Sequence, residues 1–215
     1  MRGDKIIVEA HLEKAAKKIV EIILPQIRSN DGKYSLSVAG ESGSGKSEIA
    51  TAIVSELETH GIQSLILQQD DYYVYPPRTN DLARRKDIHW VGIQEVRLDL
   101  LDQNLIAFLE GKSVIEKPLV IYNEDTITTE RLAVKDARVV IADGTYTTCL
   151  KHLKTRTFID RNYNDTRAHR EKRNRHKSEL DKFTSQVLKI EHEIVSKHKA
   201  LADIIVTKEY EVERQ

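Results

Sequence analysis

The chain has 215 residues, of which 40% are hydrophobic and 32% charged, a balance that supports one soluble domain with a substantial core. Lys plus Arg and Asp plus Glu both number 34, which excludes a global field for nucleic acid or an anionic membrane and makes any anion site local. A single cysteine, Cys149, excludes an intramolecular disulfide and a thiolate metal cluster, and points to the reducing cytoplasm.

The opening MRGDKIIVEAHLEKAAKK is broken by charge every few residues, so no secretory signal is expected there. No apolar run approaches the length of about eighteen residues that a membrane span needs. Residues 5–24 place Leu12, Ala15, Ala16, Ile19, Ile22 and Ile23 on one helical stripe, which Pro25 and the turn-rich SNDG are expected to end. YSLSVAG (34–40) reads as a short buried strand, and KSEIATAIVSELETHG (46–61) as a helix closing on glycine. Strand signals recur at 64–69, 119–122, 137–143, 155–160 and 203–208, with helical stretches near 92–111, 145–153 and 163–200. Residues 72–87 carry little periodicity and are expected to form a mobile loop. Apolar strands alternating with helices predict an α/β fold: a parallel sheet of about five strands, helices on both faces, and a small lid near 165–182. The whole of 1–215 reads as one domain, with its nucleotide-binding core at about 34–208.

Between the first strand and its helix lies GESGSGKS, residues 40–47. Gly40, Gly45, Lys46 and Ser47 satisfy G-x-x-x-x-G-K-[ST], in the strand-to-helix setting that pattern requires. Its glycines let the backbone amides of Gly40, Glu41, Ser42, Gly43, Ser44 and Gly45 turn inward on phosphate oxygens, aided by the positive end of the following helix. Lys46 reaches the outer phosphates, and the Ser47 hydroxyl is suited to Mg²⁺. A glycine-serine linker has no place between a buried strand and a helix.

No guanine-reading N-K-x-D follows a later strand, and no L-S-G-G-Q signature occurs. LILQQDDYYVY (65–75) instead sets Asp70 and Asp71 just beyond the second strand, on the rim where parallel sheets form their crevice. Asp70 there could orient an acceptor hydroxyl, take its proton and touch the metal sphere, or the pair could simply cap a turn. Asp143 ends the strand VVIAD before Gly144, in a position to hold Mg²⁺ or the acceptor, or to form a D-G turn. DTRAHREKRNRHK (165–177) puts Arg170 and Arg173 on one helical face with Arg167 three residues earlier, an arrangement able to close over the phosphates of ATP. A solvated helix face and a nucleic-acid patch are its rival readings. His89 and Trp90 line an acceptor pocket or pack internally; Tyr73 and Tyr75 can present rings to the acceptor, while Tyr72 suits the core. The histidines lack zinc-ligand spacing.

With these segments the chain resembles the uridine kinase and phosphoribulokinase family of P-loop kinases, from about residue 34 to 208. GESGSGKS is similar to that family's G-x-S-G-S-G-K-[ST], and QQDDYY to its Q-D-[SD]-F-Y. VVIADGTY is similar to V-V-[LI]-x-E-G-[IV], with Asp143 in place of glutamate, and TFIDRNYNDTRAHREKRNR to the segment that begins the lid. The resemblance implies Asp70 as the catalytic carboxylate, Tyr73 as an acceptor-side aromatic, and Arg167 and Arg170 over the nucleotide. Two family segments are replaced here: D-H-P-x-A-x-D by HWVGIQEVRLDLL (89–101), and Y-D-F-x-x-H-x-R by LVIYNEDTITTER (119–131). The phosphate-handling half of the pattern is intact, and the acceptor half departs from the nucleoside pattern. The expectation is an ATP- and Mg²⁺-dependent kinase acting on a small-molecule hydroxyl. A nucleotide-binding regulatory protein without transfer activity and a kinase of nucleic-acid ends are the alternatives. The oligomeric state is left open, a homo-oligomer included.

Overall fold

In a computed structural model, residues 6–29, 31–166 and 182–215 are described. Helix α1 (Ala10–Ser29) buries Leu12, Ala15, Ala16, Ile19, Val20, Ile23 and Ile27 on one stripe. It starts later than the sequence pattern suggests and runs through Pro25 instead of stopping there. An interior proline costs about 3 kcal/mol, but Pro25 and Glu21, whose carbonyl loses its partner, both face solvent. Beyond the proline, Ile27 is buried, the Tyr34 hydroxyl lies 2.9 Å from Gln26 Oε1, and Arg138 Nη2 donates to the Ile27 carbonyl at 3.0 Å. Burying one such isoleucine contributes about 1.5–3 kcal/mol, so these contacts offset the break.

Strand β1 (Tyr34–Gly40) is buried throughout and leads into α2 (Lys46–Thr59) and β2 (Ser64–Gln68). Further along come β5 (Val139–Asp143), β6 (Thr155–Ile159), β7 (Ile204–Val206) and β8 (Val212–Arg214). These strands form one sheet in the order β2-β5-β1-β6-β7-β8. The first five are parallel, as expected, and β8 adds an antiparallel edge against β7. Alternation along the strands builds two cores. Leu36, Val38, Ile141, Ile204 and Val206 pack with α1 and α2. Ala39, Val140, Ala142, Phe158 and Ile205 pack on the other face with the helices α4 (Leu98–Leu109) and α5 (Lys182–Val195).

Three regions depart from the sequence reading. Residues 72–87 are not one loop, because Pro77–Lys86 form helix α3 with a proline in its first turn. Its inward residues are the polar Asn80 and Arg84, so it has no apolar stripe to betray it. Residues 119–122 belong not to the main sheet but to a separate antiparallel hairpin of β3 (Val114–Ile121) and β4 (Thr126–Ala133). No crossover helix separates these two strands, and Asp125 turns the chain between them at φ 53°. Residues 145–153 hold only a short 3₁₀ turn, Thr147–Cys149. Among the described residues, no helix is long and apolar enough to cross a membrane.

The hairpin is tied to the sheet through Asp71, which is 2% exposed. Its Oδ2 lies 2.7 Å from Lys117 Nζ and its Oδ1 accepts from the Val120 amide at 3.0 Å. Asp71→Ala would leave Lys117 to Glu130, 3.2 Å away, and to the Pro118 carbonyl, and would strand the buried Val120 amide, a loss of about 1–3 kcal/mol. Urea unfolding of this variant is expected to show that loss, whereas Asp71→Asn, which can still accept from Val120, is expected to lose less.

Candidate active site

Three strand ends are level at one edge of the sheet. In register, Asp143 at the end of β5 faces Val38 of β1 on one side and Gln68 of β2 on the other. The octet leaves β1, Asp70 follows β2, and Asp143 ends β5, so all three signals from the sequence meet at one rim.

Within the octet, Gly40, Gly43 and Gly45 have φ of 153°, 76° and 98°. Gly45 precedes α2 with no side chain capping the helix, which leaves its first amides for an anion. Lys46 Nζ donates to the Glu41 carbonyl at 2.9 Å, across the loop. Glu41, 5% exposed, accepts from the Tyr163 amide at 2.7 Å and pairs with His192 Nδ1 of α5 at 2.6 Å. The loop is therefore braced from the chain beyond β6 and from α5. Tyr210, held by Arg161, lies with its hydroxyl 3.3 Å from the Ser44 carbonyl and braces the other side.

Asp143 is buried, and its Oδ1 has no partner. Burial raises its carboxyl to about 6, against the lowering effects of Lys46 and a hydrogen bond with Ser47, while Asp70 raises it further. A buried carboxylate oxygen with nothing to accept, beside a hydroxyl and a second acid, is the donor set of a hard divalent cation. Ser47 and Asp143, with Asp70 near enough to perturb Asp143, thus fit Mg²⁺. The electrostatic influence of Asp70 on Asp143 also shows that the two acids share one neighbourhood.

Beside Asp70 opens a cavity of about 210 Å³, lined among others by Tyr73, Tyr75, Asn80, Arg84 and Tyr122. Its floor is a buried polar knot. Glu95, fully buried, takes Arg84 through both carboxylate oxygens, Asn80 Nδ2 at 2.9 Å and the Gly92 amide at 2.9 Å. Arg84 Nη2 also reaches Glu191 of α5 at 3.0 Å. Burial raises the Glu191 carboxyl, against the opposing charge of Arg84. This knot fixes α3, the 92–95 turn and α5 around the cavity.

Asp70 and Tyr73 both line the cavity, and Tyr72 is core, its hydroxyl bonded by Asn104 at 2.8 Å. His89 is exposed in a 3₁₀ turn and is not one of the residues lining this cavity, while Trp90 donates to Asn80 Oδ1 at 2.9 Å. Arg167, Arg170 and Arg173 lie outside the described residues. Reading the sequence missed Pro77, Asn80, Asp81 and Arg84, although their spacing matches one face of a helix begun by proline. Gly144 has a structural reason: a Cβ there would sit 2.2 Å from Gln69 Cβ. The Gln69 side chain accepts from the Tyr146 amide at 2.7 Å and cannot withdraw without breaking that bond. Gly144→Ala is expected to cost about 1–3 kcal/mol through this clash, measured as a lowered urea midpoint.

Comparison with known proteins agrees with this geometry. Residues 36–160 match the family described as Phosphoribulokinase / Uridine kinase. A uridine kinase of Ligilactobacillus salivarius is 32% identical over 187 residues, covering 80% of this chain and 83% of that protein. A bifunctional alpha-galactosidase/sucrose kinase of Mediterraneibacter gnavus is 26% identical over 197 residues, covering 86% of this chain but only 21% of that much longer protein. The solved D-glycerate 3-kinase of Cryptococcus neoformans has the same fold, with a TM-score of 0.61 at 13% identity and coverage of 96% of this chain and 100% of that one. The chain therefore belongs to the phosphoribulokinase / uridine kinase family of small-molecule kinases.

Proposed function

We propose that the protein moves the terminal phosphoryl group of ATP to a hydroxyl of a small molecule, with Mg²⁺. The observation that supports this reading best is the shared rim. The uncapped phosphate loop, the unpartnered oxygen of Asp143 and the cavity reaching Asp70 all lie at one edge of the sheet.

In this reading the octet amides and Lys46 hold the β and γ phosphates. Lys46 is already held across the loop by the Glu41 carbonyl, which keeps its ammonium in place beforehand. Ser47 and Asp143 would hold Mg²⁺, which when bound neutralises charge on the phosphate oxygens. Asp70, exposed at the cavity mouth, orients the acceptor hydroxyl and takes up its proton. Arg170 and Arg173 are assigned to close over the phosphates, and Arg167 to the nucleotide, from their place in the sequence. Positioning and charge neutralisation supply most of the rate, since phosphoryl transfer asks little covalent work of the protein. A cavity beside the assigned base supports transfer over a purely regulatory role.

Asp70→Asn is expected to lower turnover by roughly 100-fold or more while calorimetry shows ATP still bound. Near-normal turnover of that variant would remove Asp70 from the role of base. Lys46→Ala is expected to weaken ATP binding by roughly 10- to 100-fold, the worth of a charged hydrogen bond. Unchanged affinity and rate would contradict the loop assignment.

A further inference from the structure

We infer that the acceptor is a neutral polyhydroxyl compound of the sugar or polyol class, and that the cavity beside Asp70 selects against acceptors bearing a carboxylate or phosphate. This rests on the kinase reading above and concerns the cavity wall built by α3 and the tyrosines beside Asp70.

The first observation is charge. Asp70 and Asp81 both line the cavity, and Arg84 is the cation among the lining residues. The guanidinium of Arg84 is committed, through Nε and Nη2, to both oxygens of Glu95 and also to Glu191. The neighbouring Arg85 donates to Asp81 Oδ2 at 2.7 Å and lies over the Phe183 ring at 4.5 Å. Arg78 sends its Nη2 to the Asn123 carbonyl at 2.8 Å. Around the cavity, the carboxylates of Asp70, Asp81, Glu95 and Glu191 thus stand against the guanidiniums of Arg84 and Arg85. Arg85 offsets Asp81, and Arg84 sits between two acids. An anionic group in this half-open site therefore meets a net excess of carboxylate, Asp70 foremost, and would be disfavoured on the order of 10-fold in affinity.

The second observation is the kind of hydrogen bond on offer. Among the described lining residues Asn80 is the one side-chain amide, with Nδ2 donating to Glu95 and Oδ1 accepting from Trp90. A nucleobase is read by paired donors and acceptors of the kind an amide or guanidinium supplies. Here the knot takes Nε and Nη2 of Arg84 and one N–H and the carbonyl oxygen of Asn80, so the two groups keep donors but little paired donor–acceptor capacity. Carboxylate oxygens and tyrosine hydroxyls make up the rest of the polar wall, and a carboxylate accepts from two hydroxyls at once. The third observation is aromatic surface. Tyr75 is 41% exposed, 5.5 Å from the Trp90 ring, and Tyr122 also lines the cavity. Hydroxyl donors around a C–H framework match carboxylates set beside aromatic faces.

The test uses the full chain with Mg-ATP, coupled detection of ADP, and calorimetric ATP binding run in parallel. The probes are glucose, fructose, sucrose and ribitol as neutral polyols, uridine and cytidine as nucleosides, and glycerate and ribulose 5-phosphate as anions. Expected is turnover of a sugar or polyol with kcat/KM roughly 10-fold or more above every anionic probe. Asp81→Asn is expected to raise KM for that acceptor roughly 10-fold with kcat nearly unchanged, and to narrow the gap to the anions. Preference for glycerate, ribulose 5-phosphate or a nucleoside, or no turnover of any neutral polyol, overturns the acceptor class while intact ATP binding leaves the kinase reading standing. Absent ATP binding removes the kinase reading itself and this inference with it. An Asp81→Asn variant with unaltered KM and selectivity overturns the role given to the wall.

Discussion

The parallel register of β1, β5 and β2 is the constraint on which the site depends. Because Asp143 pairs in register with both Val38 and Gln68, the segments that follow these strands emerge side by side. A slip of one residue would turn Asp143 to the opposite face of the sheet. The register is held by alternation: Val139 and Ile141 belong to one core, Val140 and Ala142 to the other. Hydrophobic packing on both faces therefore places a carboxylate at the rim that packing alone would never favour. That carboxylate keeps one oxygen unpartnered, a lone-pair donor available to a bound group.

The phosphate loop is held from outside as well as from within. Glu41 could have been a plain solvent-facing side chain, yet it is buried and fastened to the Tyr163 amide and to His192. Tyr210 reaches the Ser44 carbonyl from the C-terminal segment, and its ring meets His11 of α1 at 4.6 Å. Segments far apart in sequence thus limit the loop's motion before any phosphate arrives, which lowers the ordering cost of binding.

The cavity depends on a different kind of interaction. The Glu95 knot buries charge, and such charge is weak evidence of stability because desolvation offsets most of the attraction. Its effect is geometric. Arg84, Asn80 and Glu191 are each held by directional bonds, so α3 and α5 meet the 92–95 turn in one arrangement. The same commitment ties up most of the polar groups of Arg84 and Asn80, and carboxylates and tyrosines make up the rest of the polar cavity wall.

Local signals were enough to read much of this protein. The octet, the apolar strands and the acids at strand ends are short-range features: glycine geometry, side-chain period and position relative to a strand are all written in neighbouring residues. Asp70 and Asp143 could be selected that way. Separating Asp70 from Asp71 could not, because the difference lies in Lys117 and Val120, more than forty residues away along the chain. Helix α3 escaped notice because its buried face is polar, and the hairpin because β4 breaks the alternation of a strand, with Thr128 and Thr129 both exposed and the charged Glu130 half-buried. Helix α1 passed its proline because Ile27, Tyr34 and Arg138 hold the last turn from elsewhere in the fold. Sequence by itself determined the phosphate-binding chemistry, which needs only contiguous residues. The tertiary structure alone decided the cavity wall, because the knot that fixes it joins Arg84 to Glu95 and to Glu191, a partner more than a hundred residues away.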